Sequence, residues 1–119
     1  MNLLTRLADE AVSHFGERLA GAPRLTHDAL IIDLDSGVTL QARFASAAEY
    51  SIHWRLETTE LRIDTAPLHS GLASFPNHLH AADGSIQADP LTRPGHDPWD
   101  NLQAVLRAIL DNPHLAGLA

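Results

Sequence analysis

The chain has 119 residues, 45% of them hydrophobic and 19% charged, and no cysteine. That length buries one hydrophobic core and is too short for two, so a single domain over 1–119 is expected. The lack of cysteine excludes disulfides, thiolate catalysis and cysteine-based zinc sites, which leaves His, Asp and Glu as the strong metal ligands. With 15 acidic against 8 basic residues the net charge is −7, a field that disfavours nonspecific binding to nucleic acid, although a local group of arginines can still hold phosphate. No apolar run approaches the ~20 residues that span a bilayer, and the start of the chain lacks the basic and apolar blocks of a signal peptide. A cytoplasmic protein with no membrane partner is expected.

In chain order, Leu3, Leu4, Leu7, Ala8, Ala11, Val12, Phe15 and Leu19 form a stripe at helical spacing. Gly21 and Pro23 follow as stop signals, so a helix is predicted from about Asn2 to Ala20, with His14 on its surface flank. Leu25–Leu34 and Val38–Phe44 read as a β-hairpin around Asp35-Ser36-Gly37. Tyr50–Leu56 and Leu61–Thr65 alternate apolar with polar residues as half-buried strands do. From Ala66 to His96 periodicity gives way to prolines and glycines, with room for short strands at Asn77–Ala82 and Ser85–Ala88. A second helix is predicted to start at Asp97 as N-cap with Pro98 at its first position. It ends near Asp111, before a loose tail. The fold class is α+β: an antiparallel sheet of four or five strands, with the N-terminal and C-terminal helices packed on one face.

A turn at Thr58-Thr59 would set Leu56 against Leu61 and Trp54 against Ile63 on the covered face. The open face would then bring His53 opposite Asp64, where the carboxylate orients the ring, and Arg55 opposite Arg62. Two opposed arginines suggest an anion between them, unless Glu49, Glu57 or Glu60 supplies the negative charge.

Three of the eight histidines, His69, His78 and His80, lie close together just after Arg62 and Asp64. Imidazole transfers protons near neutrality and is the commonest metal ligand. Three readings follow. In metal-independent RNA cleavage, His69 with His78 or His80 would share the proton transfers, Arg55 and Arg62 would hold phosphate, and Asp64 would orient His53. In a metal site, His78 and His80, on one face of an extended segment, would ligate an ion with His69 or Asp64. In the third reading the histidines are a structural cluster and the protein acts by binding a partner, with Tyr50, Trp54 and Phe75 as core aromatics.

The run Tyr50-Ser51-Ile52-His53-Trp54-Arg55, then Arg62-Ile63-Asp64-Thr65-Ala66-Pro67-Leu68-His69 and Phe75-Pro76-Asn77-His78-Leu79-His80, resembles the TumE family of toxin–antitoxin toxins over roughly residues 50 to 110. It departs from the family pattern at Ile63, Thr65, Leu68 and Asn77. The resemblance implies a small toxin encoded beside an antitoxin with a helix-turn-helix domain, and a ribonuclease-like mode of growth inhibition is the expectation for such toxins. The expectation carried forward is a ribonuclease toxin with His53, Asp64, His69, His78 and His80 as catalytic residues and Arg55 and Arg62 as substrate-binding residues. It would use neither metal nor cofactor, have RNA and the antitoxin as partners, and be open to homodimerisation. The alternative is a non-catalytic or metal-binding interaction module.

Overall fold

The computed structural model describes residues 2–118. The order is α1 (Leu3–Phe15), a 3-10 turn (Gly16–Arg18), β1 (Arg24–Leu25), β2 (Leu30–Asp33), β3 (Thr39–Ser46), β4 (Glu49–Leu56), β5 (Thr59–Asp64), β6 (His78–His80), β7 (Ile86–Ala88) and α2 (Pro98–Asp111). All seven strands form one sheet in which each pairs antiparallel with its neighbour in sequence.

The α+β class holds, but seven strands replace the expected four or five. The stretch Leu25–Leu34 is two strands, because Thr26 turns the chain: its N–H donates to the Ala29 carbonyl at 2.9 Å, and its hydroxyl accepts the Ala29 N–H at 3.0 Å. The other two additions, β6 and β7, lie within the segment that breaks periodicity. Each is three residues long, too short to show alternation.

Asn2 caps α1 by accepting the Thr5 N–H at 2.9 Å, and Leu7, Ala11 and Phe15 are buried along its stripe. The helix ends at Phe15 rather than Ala20. Gly16 is a poor helix residue, and the sheet claims the next segment: Leu19 bridges to Leu34, and the Ala20 N–H donates to the Asp33 carbonyl at 2.8 Å. At the other end α2 starts as read, with the Asp97 carboxylate accepting the Trp99 N–H at 3.0 Å and Pro98 at the first helical position. The tail after it is packed rather than loose. Trp54 Nε1 donates to the Pro113 carbonyl at 2.8 Å, Asn112 brackets Ala116 with two hydrogen bonds, and Leu115 is buried.

Both helix stripes and one sheet face meet in a single core of buried side chains. It includes Leu7, Phe15, Trp99, Leu102 and Ile109 from the helices, and Leu30, Ile32, Leu40, Ile52, Trp54, Leu61 and Ile63 from the strands. Each such side chain contributes roughly 1.5–3 kcal/mol on leaving water. The opposite face has no helix and stays polar.

The β4–β5 register differs from expectation. The loop is two residues, Glu57-Thr58, so that Leu56 pairs with Thr59, Trp54 with Leu61 and Ile52 with Ile63. His53 therefore lies opposite Arg62 rather than Asp64, and Arg55 opposite Glu60 rather than Arg62. The slip is two residues, which keeps every side chain on its predicted face but changes its partner.

Candidate functional site

On the open face, paired residues line up in rows across the strands. One row runs through Gln41, His53, Arg62 and His80, and the next through Arg43, Ser51, Asp64 and His78. Four of the eight arginines, Arg24, Arg43, Arg55 and Arg62, stand on this face, each beside a carboxylate: Arg24 pairs with Asp33, Arg43 with Asp28 and Arg62 with Asp64, and Arg55 lies opposite Glu60. The pairing of Arg62 with His80 and of Asp64 with His78 locks β5 to β6 and assembles the cluster.

Asp64 is its hub. Its Oδ2 accepts from Arg62 Nε at 2.8 Å and its Oδ1 accepts the Ala66 N–H at 3.1 Å. His78 Nε2 lies 3.2 Å from Oδ1, and His80 Nε2 3.3 Å from Oδ2. The two Nε2 atoms are 3.0 Å apart, and Arg62 Nη2 reaches His80 Nε2 at 3.0 Å. His69, on the loop after β5, sets its ring edge-on to His78 at 4.8 Å, and His78 stands likewise to His80. Three imidazoles thus form a line with the carboxylate beneath two of them.

Burial separates their roles. The His78 side chain is 2% exposed, Asp64 14% and His80 30%, so His80 meets solvent while His78 does not. Burial would raise the Asp64 carboxyl, but the Ala66 N–H, His78 and the Arg62 guanidinium outweigh it and hold it below the usual carboxylate range. Burial and then Arg62 push His80 below the ordinary imidazole range, against the pull of Asp64. His80 is therefore an uncharged imidazole at neutral pH.

The tautomers follow from the partners. Arg62 only donates, so His80 Nε2 accepts from it and the His80 proton sits on Nδ1. His78 Nδ1 faces the Pro76 carbonyl at 3.4 Å, while its Nε2 has two closer acceptors, Asp64 Oδ1 at 3.2 Å and His80 Nε2 at 3.0 Å. His78 Nε2 thus faces a nitrogen that already accepts from Arg62 and an oxygen that already accepts the Ala66 N–H. A proton on His78 Nε2 bridges to either acceptor, and a metal cation can take that proton's place. Among the described residues, Asp64, His78 and His80 are a set whose ligand atoms all lie within 4.8 Å of one another.

His53 does not join the hub. It stands 3.5 Å from Glu60, which takes the role expected of Asp64, and the two opposed arginines are absent because Glu60 faces Arg55. His53 nevertheless shares a groove with Glu60, Arg62, His80 and Gly84, and a second hollow next to it is lined by Thr39, Gln41, His53 and Arg55. Gln41 was not singled out by the sequence; its place opposite His53 depends on the β3–β4 register.

A roomier cleft, about 510 Å³, lies away from the histidines, between Phe75, Asn77, Asp89 and Arg93. Its volume does not make it the better site, because its buried polar groups are already spent on one another. Asp89 accepts from Asn77 at 2.7 Å, from the Leu91 and Thr92 N–H groups, and from the Thr92 hydroxyl, which also meets Tyr50 OH at 2.7 Å. This network pins the 89–96 loop to the sheet. Asn77, where the chain departs from the family pattern, belongs to it and not to the histidine line.

A helix-backed antiparallel sheet with a His–Asp–Arg cluster on its open face defines a small module able to move protons and hold an anion or a cation. The chain belongs to the TumE toxin family, whose model, described as Toxin TumE, matches residues 7–112. Membership implies an antitoxin partner. No curated protein and no solved structure matches significantly. Among the described residues no helix is long and apolar enough to cross a membrane.

Proposed function

We propose that this chain is the toxin of a toxin–antitoxin pair and that it arrests growth in the cytoplasm by cleaving RNA on the open sheet face. The observation that carries the reading is the convergence of Arg62, Asp64, His78 and His80, next to His69, on the polar face of a toxin-family chain. RNA cleavage by transesterification needs a base for the 2′-hydroxyl proton, an acid for the departing 5′-oxygen and positive charge for the phosphorane. His80, partly open to solvent and with its pKa held low, takes the proton. His69 returns one at the other end of the line, and Arg62 stabilises the charge. Asp64 and the buried His78 position the two. His53 and Arg55, along the neighbouring hollows, hold the flanking phosphate and base.

The partner in this reading is a helix-turn-helix antitoxin, and a basic surface on it would suit a chain of net charge −7. A homodimer, checked by sedimentation, would have to leave the open face free.

The test is cleavage of a mixed RNA by purified protein beside His80→Ala and His69→Ala. Each substitution is expected to lower the rate by about 10²–10⁴-fold, the usual size of a general acid or base contribution, with 2′,3′-cyclic phosphate ends in the wild-type products and little change in the unfolding midpoint. Absence of cleavage by the wild type, or full activity in both variants, would remove the ribonuclease.

A further inference from the structure

We propose that Asp64, His78 and His80 form a site for one zinc-class divalent cation, and that its occupancy switches the toxin off by taking the His80 lone pair. The geometry is close to what such an ion requires. Ligands about 2.0–2.1 Å from a tetrahedral ion stand about 3.3 Å from one another. Here the two Nε2 atoms are 3.0 Å apart, His78 Nε2 is 3.2 Å from Asp64 Oδ1 and His80 Nε2 is 3.3 Å from Asp64 Oδ2, so each imidazole faces its own oxygen of the one carboxylate.

The ligand types narrow the ion. Calcium and magnesium take oxygen ligands, whereas two imidazoles with one carboxylate suit zinc, cobalt or nickel. Three protein ligands leave a fourth position open. The supporting groups are in place, as the Ala66 N–H and Arg62 Nε hold the carboxylate and the Pro76 carbonyl faces His78 Nδ1. The paired strands β5 and β6 fix all three ligands before any ion arrives. A cation would take the place of the proton that otherwise lies between His78 Nε2 and its two acceptors.

Two consequences separate this site from a general affinity of histidine-rich protein for metal. Arg62 Nη2 and the ion compete for the same His80 lone pair, so occupancy displaces that donor. His69 touches His78 only through its ring edge and is not a ligand. Loss of catalysis and loss of metal should therefore part at His69. The cation site itself stands on the ligand geometry, and only the switch-off rests on the ribonuclease reading.

The experiment titrates chelator-stripped protein with cobalt chloride, following the visible bands of four-coordinate cobalt and their loss on adding zinc chloride. Wild type and His69→Ala should each bind one equivalent, and His80→Ala and Asp64→Asn none, with circular dichroism showing that all four are folded. His80→Gln stands in if His80→Ala fails to fold. No binding by the wild type, or equal binding by His80→Ala and Asp64→Asn, overturns the site. In the parallel assay zinc should suppress RNA cleavage and chelator restore it. Binding by a protein that cleaves no RNA keeps the site and overturns the ribonuclease, while cleavage that requires the ion keeps the site and overturns the switch.

Discussion

The two faces of the sheet are made by the same strands and obey different rules. On the covered face Ile52, Trp54, Leu61 and Ile63 are buried against both helices, and what matters about each is that it is apolar and points inward. On the open face His53, Arg55, Arg62 and Asp64 act through particular partners, so a shift of one pair along a strand changes the chemistry while leaving the core intact. Burial tolerates a two-residue slip because side chains alternate with period 2; a hydrogen-bonded cluster does not.

The comparison is broken most severely from the covered side. Trp54→Ala removes the largest fully buried side chain and also the donor that holds the Pro113 carbonyl. We expect a loss of about 3–5 kcal/mol in denaturant unfolding, since the cavity cannot fully collapse between two helices and a sheet. Leu115 should become accessible as the tail loosens. A loss under about 1 kcal/mol would mean that the core repacks freely. His80→Ala, on the other side of the same sheet, should change stability far less.

Tyr50 sharpens the comparison because it joins the two kinds of interaction: its ring is in the core and its hydroxyl is in the Asp89 network. Burial, with Asp89 nearby and despite the Thr92 hydrogen bond, pushes its pKa up to about 12. The folded state then keeps a proton that the unfolded state releases above ~10, so stability is whole below pH ~10 and falls as pH rises toward 12. Tyr50→Phe should cost about 1 kcal/mol at neutral pH and flatten that alkaline slope. An unchanged slope in thermal melts between pH 9 and 11, as rough limits set by the same pKa window, would show that another group titrates there.

What was legible in the sequence divides along the same line. The start of α2 is written in Asp97-Pro98, and the turn before β3 in Gly37, whose φ is +96°, because a cap and a left-handed glycine are local facts. The composition of the site was legible too, since Arg62, Asp64, His69, His78 and His80 lie within one stretch. Its pairings were not. Asp64 meets His78 and His80 only because β6 adds to β5 in one register, and three residues of β6 carry too little pattern to announce it. The end of α1 failed for a related reason: Leu19 continues the helical stripe, but its bridge to Leu34 draws it to the sheet.

The smallest test addresses the register itself. Apolar pairing of Leu56 with Leu61 would need a loop two residues longer than the Glu57-Thr58 turn, and both registers bury the same residues. The turn therefore decides where His53 and Asp64 go. Glu57 stands in that turn at φ 55°, the left-handed region that a side chain resists and glycine accepts. Glu57→Gly relieves that strain, and after the extra chain entropy of glycine a gain of about 0.5–1 kcal/mol in unfolding free energy is expected. The longer loop would not require a left-handed residue there, and in it the substitution would only loosen the chain and lower stability. The sign of one small change in unfolding free energy thus tells which residues His53 and Arg62 face.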